Sequence, residues 1–256
     1  MLSINDIFQS KGKRKLIALT AYDYPTAKIL DEAGVDILLV GDSLGMVVLG
    51  FSTTRDVTME DMIRHGAAVV RGAKSTFVVV DMPVNSTNTF DMALLNCKKI
   101  LDETHAQSVK IEGQVDIIAR LVQSGIYVMG HTGLKPQTAA KYGVRGRDSV
   151  EADLLFQEAL DLEKAGVFAL VLECVPVFLA EKITKALKIP VIGIGAGNSC
   201  DGQILVSSDM IGLYTDFKPV FVRRYGKVAE EIQTSVRQFQ SDVKNGTFPS
   251  TKESFL

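Results

Sequence analysis

Three carboxylates stand at the ends of apolar runs that have the length of β-strands. Asp42 follows the run ILLVG, Asp81 follows FVVV, and Glu173 follows ALVL. Carboxylates gathered around one small space repel each other unless a cation neutralises them. Oxygen ligands of this kind favour Mg²⁺ or a similar hard ion. The sequence therefore predicts a divalent-cation site wherever the fold brings these strand ends together.

A fourth carboxylate has a lysine as its near neighbour. Lys110 and Glu112 close the run SVKIE, and their side chains share one face because alternate residues of a strand point the same way. They could form a structural ion pair, or Lys110 could receive the carboxylate of a small acid while Glu112 faces the cation. His131 closes a fifth run and is a candidate for binding substrate or organising hydrogen bonds. His65 and His105 fall in helical patterns, and we expect no catalytic role for them.

Each of these acids also has a structural alternative, because an Asp just past a strand often caps the next helix. Four such acids by chance are less common than one, and no obvious helix follows Asp42. An acid at the end of an apolar strand is also costly to bury without a role. The glycine-rich segment GIGAG (193–197) could cradle an anion with its backbone amides, or only let the backbone pass close to a ligand.

The elements that must position these residues alternate regularly along the chain. Eight apolar runs, separated by amphipathic segments, are candidate strands: 16–22, 37–42, 77–83, 108–113, 127–133, 169–176, 190–197 and 203–207. Continuous apolar runs are typical of parallel strands buried on both faces. A closed barrel and an open doubly wound sheet both fit such alternation. Eight strands in 256 residues favour one α/β domain over residues 1–256, a single (β/α)8 TIM barrel with a C-terminal helix, since that fold takes about 250 residues.

Local patterns predict where several helices begin and end. Thr58-Met59-Glu60-Asp61 has the pattern of a capping box. Gly34, Gly72, Gly125 and Gly166 each stand where a helix would stop, and glycine suits the left-handed position there.

The sequence also makes predictions about two connections and about the last helix of the chain. Residues 43–57 and 132–148 are long for connections and are candidate lids or binding loops. Residues 223–244 predict a helix after the barrel, with an apolar side that packs against the body or a partner.

Composition excludes several classes of function. The chain carries 28 Lys and Arg against 30 Asp and Glu, so nothing indicates a nucleic-acid or anionic-membrane surface. Three cysteines without CxxC spacing argue against a disulfide framework or a zinc site and suit a reducing cytoplasm. The N-terminal region has no apolar stretch behind its basic cluster, so we expect a cytoplasmic protein.

Six segments, taken together and in order, resemble the ketopantoate hydroxymethyltransferase family. They are TAYDYPTAK (20–28), VGDSLGMV (40–47), VKIEG (109–113), GHTGLKPQ (130–137), LECVP (172–176) and IPVIGIGAGNSCDGQILV (189–206). Any one of them is a weak match, but their joint occurrence is highly specific. The resemblance covers nearly the whole chain.

The resemblance implies a fold, a reaction and an assembly. Members of that family are (β/α)8 barrel enzymes of pantothenate biosynthesis, usually decamers of two pentameric rings. They transfer a hydroxymethyl group from 5,10-methylenetetrahydrofolate to the small 2-oxo acid 3-methyl-2-oxobutanoate, which gives 2-dehydropantoate (ketopantoate). For this chain the resemblance therefore implies Mg²⁺, a folate co-substrate and a cytoplasmic homodecamer.

By motif, the resemblance also implies site roles for seven residues. The metal ligands are Asp42, Asp81 and Glu112 (Glu112 through water), the substrate contacts are Asp42, Ser43, Asp81, Lys110 and His131, and the catalytic proton acceptor is Glu173. Three features depart from the family pattern, and one of them is a slightly short loop after GHTGLKPQ. Thr54-Arg55-Asp56-Val57-Thr58 stands where TLPVT is common, and Ser208-Asp209 stands where His-Asp is common.

Two other functions are compatible with the same residues. A phosphoenolpyruvate mutase or isocitrate lyase-like barrel would also use Mg²⁺ with a 2-oxo acid, but such lyases usually carry a loop like KKCGH, which this sequence lacks. A catalytically silent metabolite-binding barrel is the second alternative. The intact set of carboxylates with Lys110 and Glu173 argues against it.

Overall fold

A computed structural model describes residues 2–255 and shows a closed barrel of eight parallel strands. Each strand pairs with its neighbours in sequence, and β8 pairs with β1. The strands are β1 Leu16–Thr20, β2 Ile37–Val40, β3 Phe77–Asp81, β4 Ser108–Glu112, β5 Val128–Gly133, β6 Ala169–Glu173, β7 Val191–Ile194 and β8 Gly202–Leu205. The predicted (β/α)8 TIM barrel is confirmed. Several predicted runs were too long at their C-terminal ends, because those residues leave the ladder and form the loops of one barrel face.

The helices occupy the connections between strands and the C-terminal segment. They are α1 Ile4–Gln9, α2 Tyr24–Glu32, α3 Leu44–Val47, α4 Met59–Gly72, α5 Phe90–Thr104, α6 Val115–Gln123, α7 Ser149–Ala165, α8 Val177–Ala186, α9 Ser207–Met210 and α10 Val228–Lys244, with a 3₁₀ turn at Thr54–Asp56. Within residues 2–255, the helices are all too short or too polar to cross a membrane.

The chain divides into two compact units, Met1–Val206 and Ser207–Leu256. The first unit contains the barrel with α1 to α8. The second contains α9 and α10. Helix α10 begins five residues later than predicted, and none of its residues is buried. Its Phe239 packs edge-on against Phe248, with ring centroids 5.4 Å apart. The predicted packing of its apolar side against the body or a partner stays a prediction.

The lower half of the barrel is filled by aliphatic and aromatic side chains from the strand beginnings. Phe77 and Phe168 meet edge to face at 5.6 Å, and Ile7 of α1 joins the same buried cluster. Helix α1 therefore covers the barrel at the end where the strands begin. Because apolar side chains fill this end of the barrel, a polar site can form only at the opposite end. Enzymes of this fold have their active sites there.

Strand register brings the predicted site residues side by side at that opposite end. Asp81 of β3 is paired with Lys110 of β4, and Glu112 of β4 is paired with His131 of β5. Glu173 ends β6. These residues are distant in sequence, and they meet because parallel ladders carry neighbouring strands to the same height.

Helix boundaries confirm most of the predicted signals and correct one. Thr58 and Asp61 form the predicted capping box. Gly34, Gly125 and Gly166 have φ of 79°, 85° and 95°, as predicted for left-handed positions after helices. Helix α4 ends at Gly72 as predicted, but Gly72 is the last residue of the helix and does not have the left-handed conformation predicted for it. A Cβ there would lie 2.5 Å from the Tyr24 carbonyl oxygen, so this glycine allows α4 to approach α2 closely.

One carboxylate ties α2 to the beginning of β3. Asp31 Oδ1 accepts hydrogen bonds from the backbone N–H groups of Ser75 (2.9 Å) and Thr76 (2.7 Å) and from both hydroxyls. Burial opposes the charge of Asp31, but these hydrogen bonds outweigh it and lower its pKa. The contact fixes where the third strand enters the barrel.

Candidate active site

Asp42 and Asp81 lie together at the open end of the barrel, and both are buried. The backbone N–H of Asp42 donates to Asp81 Oδ2 at 3.2 Å. Neither residue caps a helix, since α3 after Asp42 has Ser43 at its cap position and α5 after Asp81 is capped by Thr89. The structural alternative of helix capping is therefore excluded for this pair.

Lys110 supplies positive charge to the pair. Its Nζ lies 2.6 Å from Asp81 Oδ1, and both side chains are almost fully buried. Burial opposes the charge of Lys110, but the negative charges of Asp81, Glu112 and Asp42 outweigh it and raise the pKa of Lys110. Lys110 is therefore a permanent cation in this site.

One lysine does not neutralise the two aspartates. Burial, followed by repulsion from Asp81, raises the pKa of Asp42 to about 7, although Lys110 and a hydrogen bond from Gln137 act in the opposite direction. Burial also raises the pKa of Asp81 despite its contact with Lys110. The pair would gain from a further positive charge at this point.

Glu112, His131 and Glu173 form a chain across the next three strands. His131 Nδ1 lies 3.5 Å from Glu112 Oε1, and His131 Nε2 lies 3.4 Å from Glu173 Oε2. Burial and the charge of Lys110 lower the pKa of His131, but its contacts with both glutamates outweigh them and raise it to about 9. The imidazole lies between the two carboxylates and connects β4 to β6.

Ser43 lies next to a residue that the sequence analysis missed. The Tyr22 hydroxyl is 2.8 Å from Ser43 Oγ, and the Tyr22 carbonyl oxygen is 2.6 Å from His65 Nδ1. Tyr22 therefore holds Ser43, and His65, for which no catalytic role was expected, supports the backbone of Tyr22. The only sequence signal for this role was the place of Tyr22 near a strand end, within the segment TAYDYPTAK.

Gln137 is the second residue that the sequence analysis missed. Its side-chain amide donates to Asp42 Oδ2 and to the Met82 carbonyl oxygen, each at 2.9 Å, and its backbone N–H donates to Glu112 Oε2 at 3.2 Å. One residue thus contacts the ends of β2, β3 and β4. Its position in the long connection 132–148 gave no sign of this, because the loop conformation brings it there.

The two long connections touch each other. Arg55 Nη2 donates to the carbonyl oxygen of Ala139, which joins segment 43–57 to segment 132–148. Arg55 belongs to the stretch that departs from the family pattern. The expectation that these segments are lids or binding loops stays a prediction.

The donor set fits a hard divalent cation, but not as a complete ligand cage. Among residues 2–255, no group of three or more His, Cys, Asp or Glu side chains is arranged to hold a metal ion. Asp42 and Asp81 form a buried pair of oxygen donors, and the oxygens of Glu112 are engaged by His131 and Gln137. Mg²⁺ is commonly held by one or two carboxylates, with water or substrate oxygens completing its shell. The aspartate pair therefore suits Mg²⁺, and a ligand role for Glu112 stays a prediction.

Comparison with known proteins decides the family. A family model described as ketopantoate hydroxymethyltransferase matches residues 1–251. The chain belongs to the ketopantoate hydroxymethyltransferase family. It is similar to the 3-methyl-2-oxobutanoate hydroxymethyltransferase of Enterococcus faecalis, with 51% identity over 94% of this chain and 90% of the relative. The enzyme of the same name from Thermus thermophilus is 46% identical and covers 99% of both chains. The chain is thus a transferase of the hydroxymethyltransferase class.

Solved structures of lower sequence identity share the fold. A phosphoenolpyruvate phosphomutase from Streptomyces platensis subsp. rosaceus matches with a TM-score of 0.65 and 12% identity, over 95% of this chain and 87% of that one. A phosphonopyruvate hydrolase in complex with oxalate and Mg²⁺ matches with a TM-score of 0.63 and 12% identity, over 99% and 93%. At this identity the likeness establishes the barrel alone.

Proposed function

We propose that this chain transfers a hydroxymethyl group from 5,10-methylenetetrahydrofolate to 3-methyl-2-oxobutanoate with the help of Mg²⁺. The product is 2-dehydropantoate (ketopantoate), a precursor in pantothenate biosynthesis. Relatives that share about half of its residues carry the name of this enzyme. The observation that carries the proposal is the buried Asp42–Asp81 pair, with Lys110 against it and Glu173 at the end of β6.

The charges of the site match a 2-oxo acid bound with a cation. Asp42 and Asp81 would hold Mg²⁺, with Glu112 near it through water. When bound, the cation polarises the keto group as a Lewis acid and favours loss of the proton from the adjacent carbon. Lys110 and Ser43 would bind the substrate and fix the angle of attack, and Tyr22 would keep the Ser43 hydroxyl in place.

Glu173 is the proposed general base. It ends β6 with its side chain mostly buried, and its Oε2 is held 3.4 Å from His131 Nε2. His131 orients the carboxylate, and the second oxygen takes the proton from the substrate carbon next to the keto group. A carboxylate held by a second residue in a desolvated site is a competent base for such a step.

The overall reaction balances without a redox partner. The substrate carbon that loses its proton forms a bond to the methylene carbon of the folate. The two bonds between this methylene carbon and the folate nitrogens break. Water supplies the hydroxyl group of the product. The proton from the substrate and the second hydrogen of water end on the folate nitrogens, which leaves tetrahydrofolate.

Turnover with and without the cation tests the proposal. The measurement is ketopantoate formation from 3-methyl-2-oxobutanoate and 5,10-methylenetetrahydrofolate, with Mg²⁺ and after chelation. We expect product only with the cation. A folded protein that forms no product with Mg²⁺, or the same amount after chelation, would overturn the proposal. Cleavage of a 2-oxo acid adduct instead would favour the lyase alternative.

The expectation of a cytoplasmic homodecamer accompanies this proposal and rests on the resemblance to the family. Light scattering of the purified protein measures its mass directly, against 27.8 kDa for one chain. A mass near ten chains is expected, and a monomer would contradict the expectation.

A further inference from the structure

The connection after β5 enters the site through one side chain. Gln137 donates its side-chain amide to Asp42 Oδ2 and to the Met82 carbonyl oxygen, while its backbone N–H donates to Glu112 Oε2. The side-chain amide thus has two acceptors, and one of them is a proposed ligand of the cation. A carboxylate that accepts a directed hydrogen bond cannot rotate freely about its Cβ–Cγ bond.

The segment that carries Gln137 is itself held in place. Lys135 Nζ donates to Glu158 Oε1 of α7 at 2.7 Å, and the hydroxyl of fully buried Thr132 donates to the other oxygen of Glu158. The Ala139 N–H closes a turn onto the Lys135 carbonyl oxygen at 2.9 Å. Lys135 and Ala139, two positions before and two positions after Gln137, are therefore held in place. The Gln137 side chain reaches Asp42 from a fixed backbone.

We propose that Gln137 is a positioning residue that sets the orientation of Asp42, and through its N–H that of Glu112, for cation binding. The inference rests on the proposed function, because it takes Asp42 as a cation ligand. Residues that hydrogen-bond to metal ligands orient them and typically change metal affinity by 10- to 100-fold when they are removed. The acceptors of the Gln137 side-chain amide are Asp42 and Met82, so loss of the amide should act on binding of the cation before it acts on proton removal.

Gln137→Met tests this role, since methionine keeps the length of the side chain and removes its amide donors. Calorimetric titration of the full chain with MgCl₂ alone measures the affinity. We expect it to fall about 10- to 100-fold. At saturating Mg²⁺ we expect kcat to recover to within about threefold of wild type, because excess cation compensates for a weakened site. A loss of purely structural origin would not be rescued in this way. Gln123→Met, at an exposed position at the end of α6, is the matched control and should leave the affinity unchanged.

A second variant and the wild type distinguish the possible failures. Gln137→Ala also lacks the amide and serves if the methionine variant does not fold, as judged by circular dichroism. Wild-type Mg²⁺ affinity in either folded variant would overturn this inference and leave the proposed function standing. Wild-type protein that binds Mg²⁺ yet forms no ketopantoate would refute the proposed function instead. Wild-type protein that binds no Mg²⁺ would overturn both.

Discussion

Replacing Glu173 by glutamine separates proton removal from every other function of the site. The substitution keeps the size of the side chain and leaves an oxygen within reach of His131 Nε2, which lies 3.4 Å from Glu173 Oε2. It removes the basic oxygen. Glu173 lies on β6, whereas Asp42, Asp81 and Lys110 belong to the ends of β2, β3 and β4. Mg²⁺ affinity should therefore change by less than about threefold.

The expected loss of rate follows from the role of a general base. Such groups contribute about 10²- to 10⁴-fold, which corresponds to about 3–5 kcal/mol in the activation barrier at 1.36 kcal/mol per factor of ten. Exchange of the substrate proton isolates this step. Proton NMR in D₂O follows the disappearance of the signal of the carbon-bound hydrogen next to the keto group of 3-methyl-2-oxobutanoate, with Mg²⁺ and without folate. The Glu173→Gln protein should exchange this proton at least 100-fold more slowly than wild type.

A matched control shows whether a loss of exchange comes from general damage to the protein. Glu181→Gln makes the same change on α8, where Glu181 forms an exposed pair with Lys185, and should leave the exchange rate unchanged. An exchange rate within about threefold of wild type in the Glu173→Gln protein would refute the base role. An equal loss of Mg²⁺ affinity and of exchange would show instead that Glu173 holds the site together.

Three further predictions concern the cation, the loops and the fold. Asp81→Asn should weaken Mg²⁺ binding by at least tenfold in a calorimetric titration, and unchanged affinity would remove Asp81 from the ligand set. Arg55→Ala should raise the KM for 3-methyl-2-oxobutanoate with little change in thermal stability, since it frees segment 43–57, which begins at the proposed substrate contact Ser43, from Ala139; an unchanged KM would show that this contact does not support the substrate site. Asp31→Asn should lower the free energy of unfolding by about 1–2 kcal/mol at pH 7, after allowance for partial exposure. Because the pKa of Asp31 is lowered in the fold, its stabilisation is present above the ordinary aspartate value and is lost as the pH falls through the folded value, so urea unfolding should show the two proteins converging in acid. A difference that is as large at pH 2 as at pH 7 would contradict that reasoning.

Local signals in the sequence predicted much of the fold, and the exceptions have a common cause. The capping box at Thr58 and the left-handed Gly166 are decided within one turn of helix, so neighbouring residues suffice to predict them. Gly72 also stands at the end of a helical pattern, but what requires a glycine there is the carbonyl oxygen of Tyr24 on another helix. No local pattern contains that contact.

The site residues likewise divide into those that the sequence could predict and those that it could not. The residues at strand ends were predictable because a closed parallel barrel collects every strand's C-terminal end at one face, whatever the exact register. Tyr22 and Gln137 were missed, because hydroxyl and amide groups in loops are common and only a particular loop conformation directs them at Ser43 and Asp42. The fit of two aspartates to a cation likewise depended on burial, which raises the pKa of Asp42 to about 7.

The sequence by itself determined the class of fold, the set of strand-end carboxylates and the family, because periodicity, residue chemistry and ordered motifs are carried by the chain without any contact across it. Only the tertiary structure decided which groups are neighbours. It set Lys110 against Asp81, His131 between Glu112 and Glu173, and Gln137 on Asp42. Electrostatic and hydrogen-bond energies depend on separations of a few ångströms and on desolvation, and those are properties of the folded barrel.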